Sequence, residues 1–442
     1  MSLAGARPAR TATNAHLETG KSLGMLQESK VPASLSINAE RLWGTVLETA
    51  HFGATPKGGL RRLTCSDEDR AVRDWLRDRC VEIGCDIRID SVGNIFATLP
   101  GATSEVLPIA MGSHLDTQPT GGKLDGILGV LGGLEVLRTI AESGARTHAP
   151  LMVIDWTNEE GSRFPPAMLC SGVYAGAFTT EYAYSRRDRD GKTFREELSR
   201  IGYLGTEPAG AVKFQAMFEL HIEQGPILEA EAKQIGVVTG IQGMRWYEVT
   251  VRGRESHTGS TPMNMRKDAL LGAARMVEAV NAVGHRYPPG VASVGLLENR
   301  PNSRNTIPGE VFFTVDLRHP DDAVLEHMEA DYQAAVARIA AELGLEVEAA
   351  RIWNCPAVRF APELIDCVRY AADTSNFSYR EITSGAGHDA AYIAKAAPTT
   401  MIFVPCLAGI SHNEAESTTP EECARGCQVL LAAVLEYDRR HR

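Results

Sequence analysis

His114, His221 and His412, with Asp125, Glu159 and Glu160, are the side chains of this 442-residue chain best suited to work together. They stand in the segments GSHLDT, GGKLDG, WTNEEGSRF, ELHIEQG and GISHNEAE. Neutral imidazoles and carboxylates are the donors that zinc and similar divalent ions take. A carboxylate left over beside such ligands can accept the proton of an attacking water, so hydrolysis is the chemistry this set suggests. Asp125 suits a shared position, because a carboxylate has two oxygens and its neighbours are flexible glycines. Asp116, two residues after His114, is placed to accept that histidine's free ring N–H and fix its tautomer. The adjacent Glu159 and Glu160 cannot easily make the same contact, so one can bind metal while the other faces water. Taken singly, each segment reads as a surface turn or a solvated helix start. Several segments with one placement point to a common site.

That placement is the end of a strand. Apolar runs at 106–111, 151–156, 214–222 and 401–404 read as short buried strands, and a ligand segment lies at or just beyond the end of each. In open α/β sheets, sites are usually built at that edge. Ile127, Leu131, Leu134, Leu137 and Ile140 repeat at helical spacing and form one face. Gly129, Gly132 and Gly133 keep that helix slim enough to lie close on a sheet, and Asp125 precedes its N-terminus, where an anion is favoured.

The pattern changes between 243 and 353. Strands at 246–251, 292–297, 311–317 and 345–352 alternate with helices at 269–283 and 324–343. The order βαββαβ is that of a ferredoxin-like split βαβ unit. It reads as an insertion, since His412 lies beyond it and the other ligands before it. The expected organisation is therefore a flexible tail over 1–32, a metal-binding α/β domain from 33–242 and 354–442, and an inserted domain over 243–353.

Composition is that of an ordinary globular protein, 44% hydrophobic and 23% charged. A net charge of −11 argues against broad binding to nucleic acid or anionic membrane, and no apolar run reaches the length of a membrane span. Nine scattered cysteines without a CxxC pair argue against a thiolate zinc site or a disulfide framework and fit a reducing cytoplasm. The first twenty residues, Ala/Thr-rich with no acid before Glu18, read as a frayed tail rather than a targeting segment.

HLDT followed by LDG, TNEEG, LHIEQG and a late GISHNE resembles the metal-dependent aminoacylase/carboxypeptidase-type amidohydrolases. HIEQGPILE, GIQGMRW, ESHTGSTPM, PNSRNTIPG, VDLRHP and GAGHDA narrow the resemblance to their ureido-hydrolysing branch: N-carbamoyl-amino-acid hydrolases, β-ureidopropionases and allantoate amidohydrolases. The likeness runs from about residue 35 to the C-terminus. It implies an aminopeptidase-like catalytic domain with a dinuclear metal site and an inserted lid that also makes a homodimer. His114 and His221 would hold one ion, Glu160 and His412 the other, and Asp125 would bridge them. Glu159 would be the general base and later the proton donor. His257, often contributed by the neighbouring subunit, would polarise the scissile carbonyl. Gln224, Asn305, Arg318 and the Gly385 region would contact a small substrate carrying a ureido group and a carboxylate. Zinc is the first expectation for the ions; manganese, cobalt and nickel accept the same donors. Among substrates the expected order is N-carbamoyl-β-alanine, then N-carbamoyl-L-α-amino acids, then allantoate. An exopeptidase or N-acyl amino acid deacylase is the alternative within hydrolases. A binding protein that had lost its chemistry would lack a ligand or the base, and this chain has them all.

Overall fold

The computed structural model describes residues 35–442, so the tail expected over 1–32 lies outside the described residues. One nine-stranded mixed sheet runs in the order Asp86–Ile89, Ile95–Leu99, Leu151–Asp155, Ile109–Ser113, Ala216–Ile222, Thr399–Val404, Ile235–Ile241 and Val358–Arg359, with Tyr379–Ser384 also pairing to Ile235–Ile241. The four strands from Leu151–Asp155 to Thr399–Val404 are mutually parallel. Every residue of these four is buried, because helices cover parallel sheets on both faces and leave no polar face to alternate with.

Helix Ile127–Ser143 lies directly on this sheet. A Cβ at Gly129 would fall 2.5 Å from the Leu220 carbonyl oxygen, so only glycine permits that approach. Beside it packs Pro420–Arg440, opened by a capping box in which Thr419 and Glu422 satisfy each other's main-chain N–H groups. Strand Ile109–Ser113 extends further than the apolar run implied, which places His114 immediately at its end.

A second sheet is built from Leu297–Arg300, Glu310–His319, Gly243–Arg252 and Glu346–Cys355 in that order, with Val291–Ser293 also on Glu310–His319. Read from the Glu346–Cys355 edge, this is fourth–first–third–second in terms of the chain, the arrangement of a split βαβ unit. Burial alternates strictly along Glu310–His319, and the buried face carries Val311, Phe313, Val315 and Leu317 against Met276, Val280, Met328 and Tyr332 of helices Ala269–Arg286 and Asp322–Leu343. This core is separate from that of the first sheet. The single strand expected over 292–297 is instead two short pieces, Val291–Ser293 and Leu297–Arg300, on either side of Gly295. They form an exposed edge, where no packing demands an unbroken ladder. The chain enters this sheet from Ile235–Ile241 and on leaving it pairs back there, Val358 opposite Ile241. No helix among the described residues is long and apolar enough to cross a membrane.

Candidate metal centre and substrate cleft

His114, Asp125 and His221 form one group whose ligand atoms lie within 4.8 Å of one another, and Asp125, Glu160 and His412 form another. Both histidines of the first group are locked from behind. His114 turns its Nδ1 to the Asp116 carbonyl at 2.9 Å, and His221 turns its Nδ1 to the Ile222 carbonyl at 2.9 Å. A ring N–H given to a carbonyl leaves the Nε2 lone pair turned toward the site, where that of His221 also receives the Gly126 amide at 3.2 Å. The Asp125 Oδ1 is 3.3 Å from His221 Nε2 and 3.9 Å from His114 Nε2. Its Oδ2 faces the other way, 3.4 Å from His412 Nε2. Glu160 Oε2 is 3.6 Å from that same nitrogen.

The residues present fit divalent cations. Glu160 Oε1 is buried with no hydrogen-bond partner. A Cβ at Gly126 would fall 2.3 Å from His114 Nε2, and this glycine sits at φ +68°, so the main chain turns within the space a side chain would fill. No Lys or Arg ion pair reaches Asp125, Glu159, Glu160 or Asp389 among the described residues. Buried carboxylates without a cation are costly. Burial pushes Glu159 well above the usual carboxylate range, and the charges of Asp389 and Glu160 push it further. Glu160 is raised by burial and then by Asp125 and Asp116. At Asp125 burial acts upward too, but His221, His114 and His412 outweigh it and hold the carboxyl well below its usual range. Burial pushes His114 down to about 4. At His221 burial also acts downward, and the hydrogen bond and charge of Asp125 overcome it to lift the imidazole to about 9.

Glu159 Oε2 lies 3.6 Å from His114 Nε2, inside the cluster but in neither triad. The turn that presents the pair needs Asn158 at φ +61° and Gly161 at φ +61°; Asn and Gly are the residues that tolerate that region. The Asp116 carboxylate does not take the His114 ring N–H as expected. Main-chain geometry brings the Asp116 carbonyl there instead, and the carboxylate accepts the amides of Glu159 at 3.1 Å and Glu160 at 3.3 Å, with the Thr64 hydroxyl at 2.8 Å. It therefore anchors the two glutamates.

A cleft of ≈ 750 Å³ opens beside the cluster, between the two sheets, and Gln224, Arg318 and Gly385 line it. Gln224 Nε2 donates to Asp125 Oδ2 and contacts Ser411 Oγ, both at 3.0 Å. Arg318 gives its Nε and Nη2 to Asp316 and its Nη1 to the Gly385 carbonyl, which leaves one N–H on each terminal nitrogen uncommitted. His257 and Asn305 are not gathered in. They sit together on the second sheet's side, where Ser256–His257 pairs with Thr306–Ile307. His257 is exposed, and its Nδ1 accepts from the Gly259 amide at 3.0 Å, so its other nitrogen carries the proton.

Three buried acids and a histidine of the site are absent from the sequence-based set of ligands and base. Glu416 accepts the Leu124 and Asp125 amides. Glu219 accepts the Ser113 hydroxyl at 2.7 Å while its Oε2 stays unpartnered. Asp389 accepts the Ser171 hydroxyl and keeps a buried, unpartnered Oδ2. His388 stacks edge-on against His221, ring centroids 4.5 Å apart, with its Nε2 3.0 Å from Ser384 Oγ. The His388-Asp389 pair after GAG was the available signal for those two residues; Glu219 had only its position two residues before His221.

Residues 110–436 match the peptidase family M20/M25/M40. The chain belongs to this family and is a hydrolase of C–N bonds, in the branch its motifs indicated. It is 51% identical over 401 residues to an N-carbamoyl-L-amino-acid amidohydrolase of Rhizobium meliloti, covering 90% of this chain and 96% of that one. It is 34% identical to an allantoate amidohydrolase of Escherichia coli strain K12, over 86% and 93% of the two chains. A crystal structure of an amidase of the hydantoinase/carbamoylase family from Burkholderia multivorans superposes with a TM-score of 0.89 at 54% identity, over 91% of this chain and 98% of that one.

Proposed function

We propose that the chain hydrolyses the ureido C–N bond of N-carbamoyl-L-α-amino acids, giving the amino acid, carbon dioxide and ammonia. The observation that carries this reading is the orientation of Asp125, whose two oxygens face two separate ligand groups. Two divalent ions, zinc first, would be held by His114 and His221 on one side and Glu160 and His412 on the other, with Asp125 between. When bound, such ions supply Lewis acidity toward the carbonyl and acidify water.

The chain's own residues do the rest. Glu159, whose affinity for a proton is raised by burial and then by the charges of Asp389 and Glu160, takes the proton of the attacking water and returns it to the leaving amine. Arg318 presents its uncommitted N–H groups to the substrate carboxylate. Gln224 and Asn305 recognise the ureido group, and the Gly385 main chain borders it. Residues 243–353 act as lid and as the contact of a homodimer, and His257, projecting from that segment, reaches the partner subunit's cleft and donates to the developing oxyanion.

The sequence motifs favoured N-carbamoyl-β-alanine; the relatives and the cleft support a different order. Ile227, Pro289, Val291, Ile382 and Phe403 give the cleft an apolar wall. Its charged groups are already paired, Glu223 with the Ile227 and Leu228 amides, Arg380 with Glu231, and Glu381 with Arg369. A side chain on the α-carbon would use this space, and β-alanine has none. N-carbamoyl-β-alanine and allantoate follow.

The test is ammonia release by metal-reconstituted protein on N-carbamoyl-L-α-amino acids, N-carbamoyl-β-alanine and allantoate, with N-acetyl amino acids and dipeptides read by amine release. Metal-dependent turnover greatest on the L-α compounds is the expected result. Cleavage confined to dipeptides or acetyl amino acids would move the protein to the exopeptidase/deacylase alternative.

A further inference from the structure

Glu416 is 3% exposed, in the loop that carries His412 to helix Pro420–Arg440. Its Oε1 accepts the Leu124 amide at 3.1 Å and the Asp125 amide at 3.0 Å. Its Oε2 accepts the Ser411 hydroxyl at 3.1 Å. One carboxylate thus ties the main chain of Asp125 to the residue immediately before His412, across 291 positions of sequence. The fit is close, since a Cβ at Gly122 would fall 2.1 Å from Glu416 Oε1.

Ser411 Oγ also lies 3.3 Å from Asp125 Oδ2 and receives Gln224 Nε2 at 3.0 Å. A serine hydroxyl has a single proton to give. With Glu416 accepting it, Asp125 Oδ2 takes only the Gln224 amide at 3.0 Å and keeps its other lone pair for the His412 side. The three histidines differ in support. His114 and His221 are buried and locked through Nδ1 to carbonyls. The His412 side chain is 52% exposed, its residue sits at φ +52°, and no main-chain carbonyl holds its Nδ1 among the described residues. What fixes His412 is the loop: Ile410 is tied to Leu407 and Cys406, and Ser411 on Glu416 ties the loop's start to the Asp125 turn.

We infer that Glu416 is a positioning residue that sets the divalent-cation affinity of the group formed by Asp125, Glu160 and His412, and not that of His114 and His221. This rests on the two-ion reading above. The test uses the full chain stripped with a chelator and titrated with Zn²⁺ alone against a chromophoric competitor, with bound zinc counted by elemental analysis. Unsubstituted protein should bind two ions. Glu416→Gln keeps an oxygen for the two amides but sets an NH₂ against Ser411, and should weaken one site about 10–100-fold while the other holds its affinity. Ser411→Ala should weaken the same site by less, with the melting temperature of the metal-free protein unchanged. It decides the question if Glu416→Gln does not fold. Two unaltered sites, or two sites weakened alike, would overturn the role of Glu416. One ion or none in the unsubstituted protein would instead overturn the two-ion reading, and this inference with it.

Discussion

The two sheets treat charge in opposite ways. The half built on the nine-stranded sheet holds fully buried Asp69, Arg73, Asp90, Asp116, Asp155, Glu219 and Asp389 in addition to the ligand cluster. Between 243 and 353 the only buried histidine or charged side chains are His319 and Arg245, and the core is aliphatic and aromatic. The residues of that half expected to act, His257, Asn305 and Arg318, stand on its margins. The difference separates two tasks. A cluster fixed by buried hydrogen bonds is organised in advance, as electrostatic catalysis requires. A rigid apolar body carrying polar groups at its rim is suited to bringing those groups to a substrate held elsewhere. Substitutions in the first half should therefore cost chemistry or coupled stability, and substitutions at Arg318 and Asn305 in the second should cost binding alone.

The largest expected effect tests the first half. Glu159→Gln should lower kcat on the best N-carbamoyl substrate about 10²–10⁴-fold, the usual contribution of a general base, with zinc content unchanged. Glu159 belongs to neither triad, so lost zinc would show that it is a ligand, and a tenth of the activity retained would show that it is not the base.

A second effect concerns stability. Burial pushes Asp90 up to about 6 against the hydrogen bonds of Asn94 and the nearby amides. The native state therefore binds a proton between about pH 4 and pH 6 that the unfolded chain has released. Stability falls as pH rises through that window and levels off above it. For Asp90 the change is on the order of 3 kcal/mol. Asp116, raised to about 6, and Asp155, raised to about 7, extend the fall toward neutrality. Asp90→Asn should flatten its share of the decline in urea unfolding followed from pH 4 to 7. Parallel curves for variant and parent would mean that Asp90 ionises as readily in the fold as out of it.

These buried acids mark how far the sequence could be read. The central strands were legible because Leu151–Asp155 and Ala216–Ile222 are buried on both faces and so read as apolar runs. The ligands were legible because the main chain must turn directly after such strands, and the polar residue at the turn stands out. Ile235–Ile241 and Tyr379–Ser384 were not singled out, since glycine, threonine and charged residues interrupt their apolar pattern. Glu416 was illegible for another reason. Its role is to satisfy two amides in the Leu124–Asp125 turn, and nothing local says which distant acid will reach them. Asp116 shows the same limit at short range: its spacing from His114 was right, but φ and ψ decided that the carbonyl, and not the carboxylate, would meet the ring.

The second half should respond through KM. Arg318→Lys replaces a planar fork with a point charge that cannot hold Asp316, Gly385 and a substrate carboxylate together. KM should rise about 10–100-fold, equivalent to roughly 1.5–3 kcal/mol for a lost charge-assisted contact, with kcat and melting temperature nearly unchanged. A fall in kcat of the same size with KM unaltered would place Arg318 in the reacting assembly and break the division between the two halves.

Asn305 gives the smallest and most discriminating effect. Its main-chain carbonyl, not its side chain, accepts the Thr258 amide at 3.2 Å and the Thr258 hydroxyl at 3.1 Å. The side chain's contact is the Ser303 hydroxyl at 3.2 Å, in an exposed turn. Asn305→Ala therefore leaves the strand that carries His257 in place, and unfolding should be unaltered. If the amide recognises a ureido NH₂, kcat/KM on N-carbamoyl substrates should fall about tenfold, near the 1–1.5 kcal/mol of one hydrogen bond. The N-acetyl analogue of the same amino acid presents a methyl where the NH₂ would be, so it has no such contact to lose. The ratio of the two rates should narrow by that same factor. An equal loss on both would mean that Asn305 shapes the loop for any acyl group, and ureido recognition would then rest on Gln224, in the half that is already fixed.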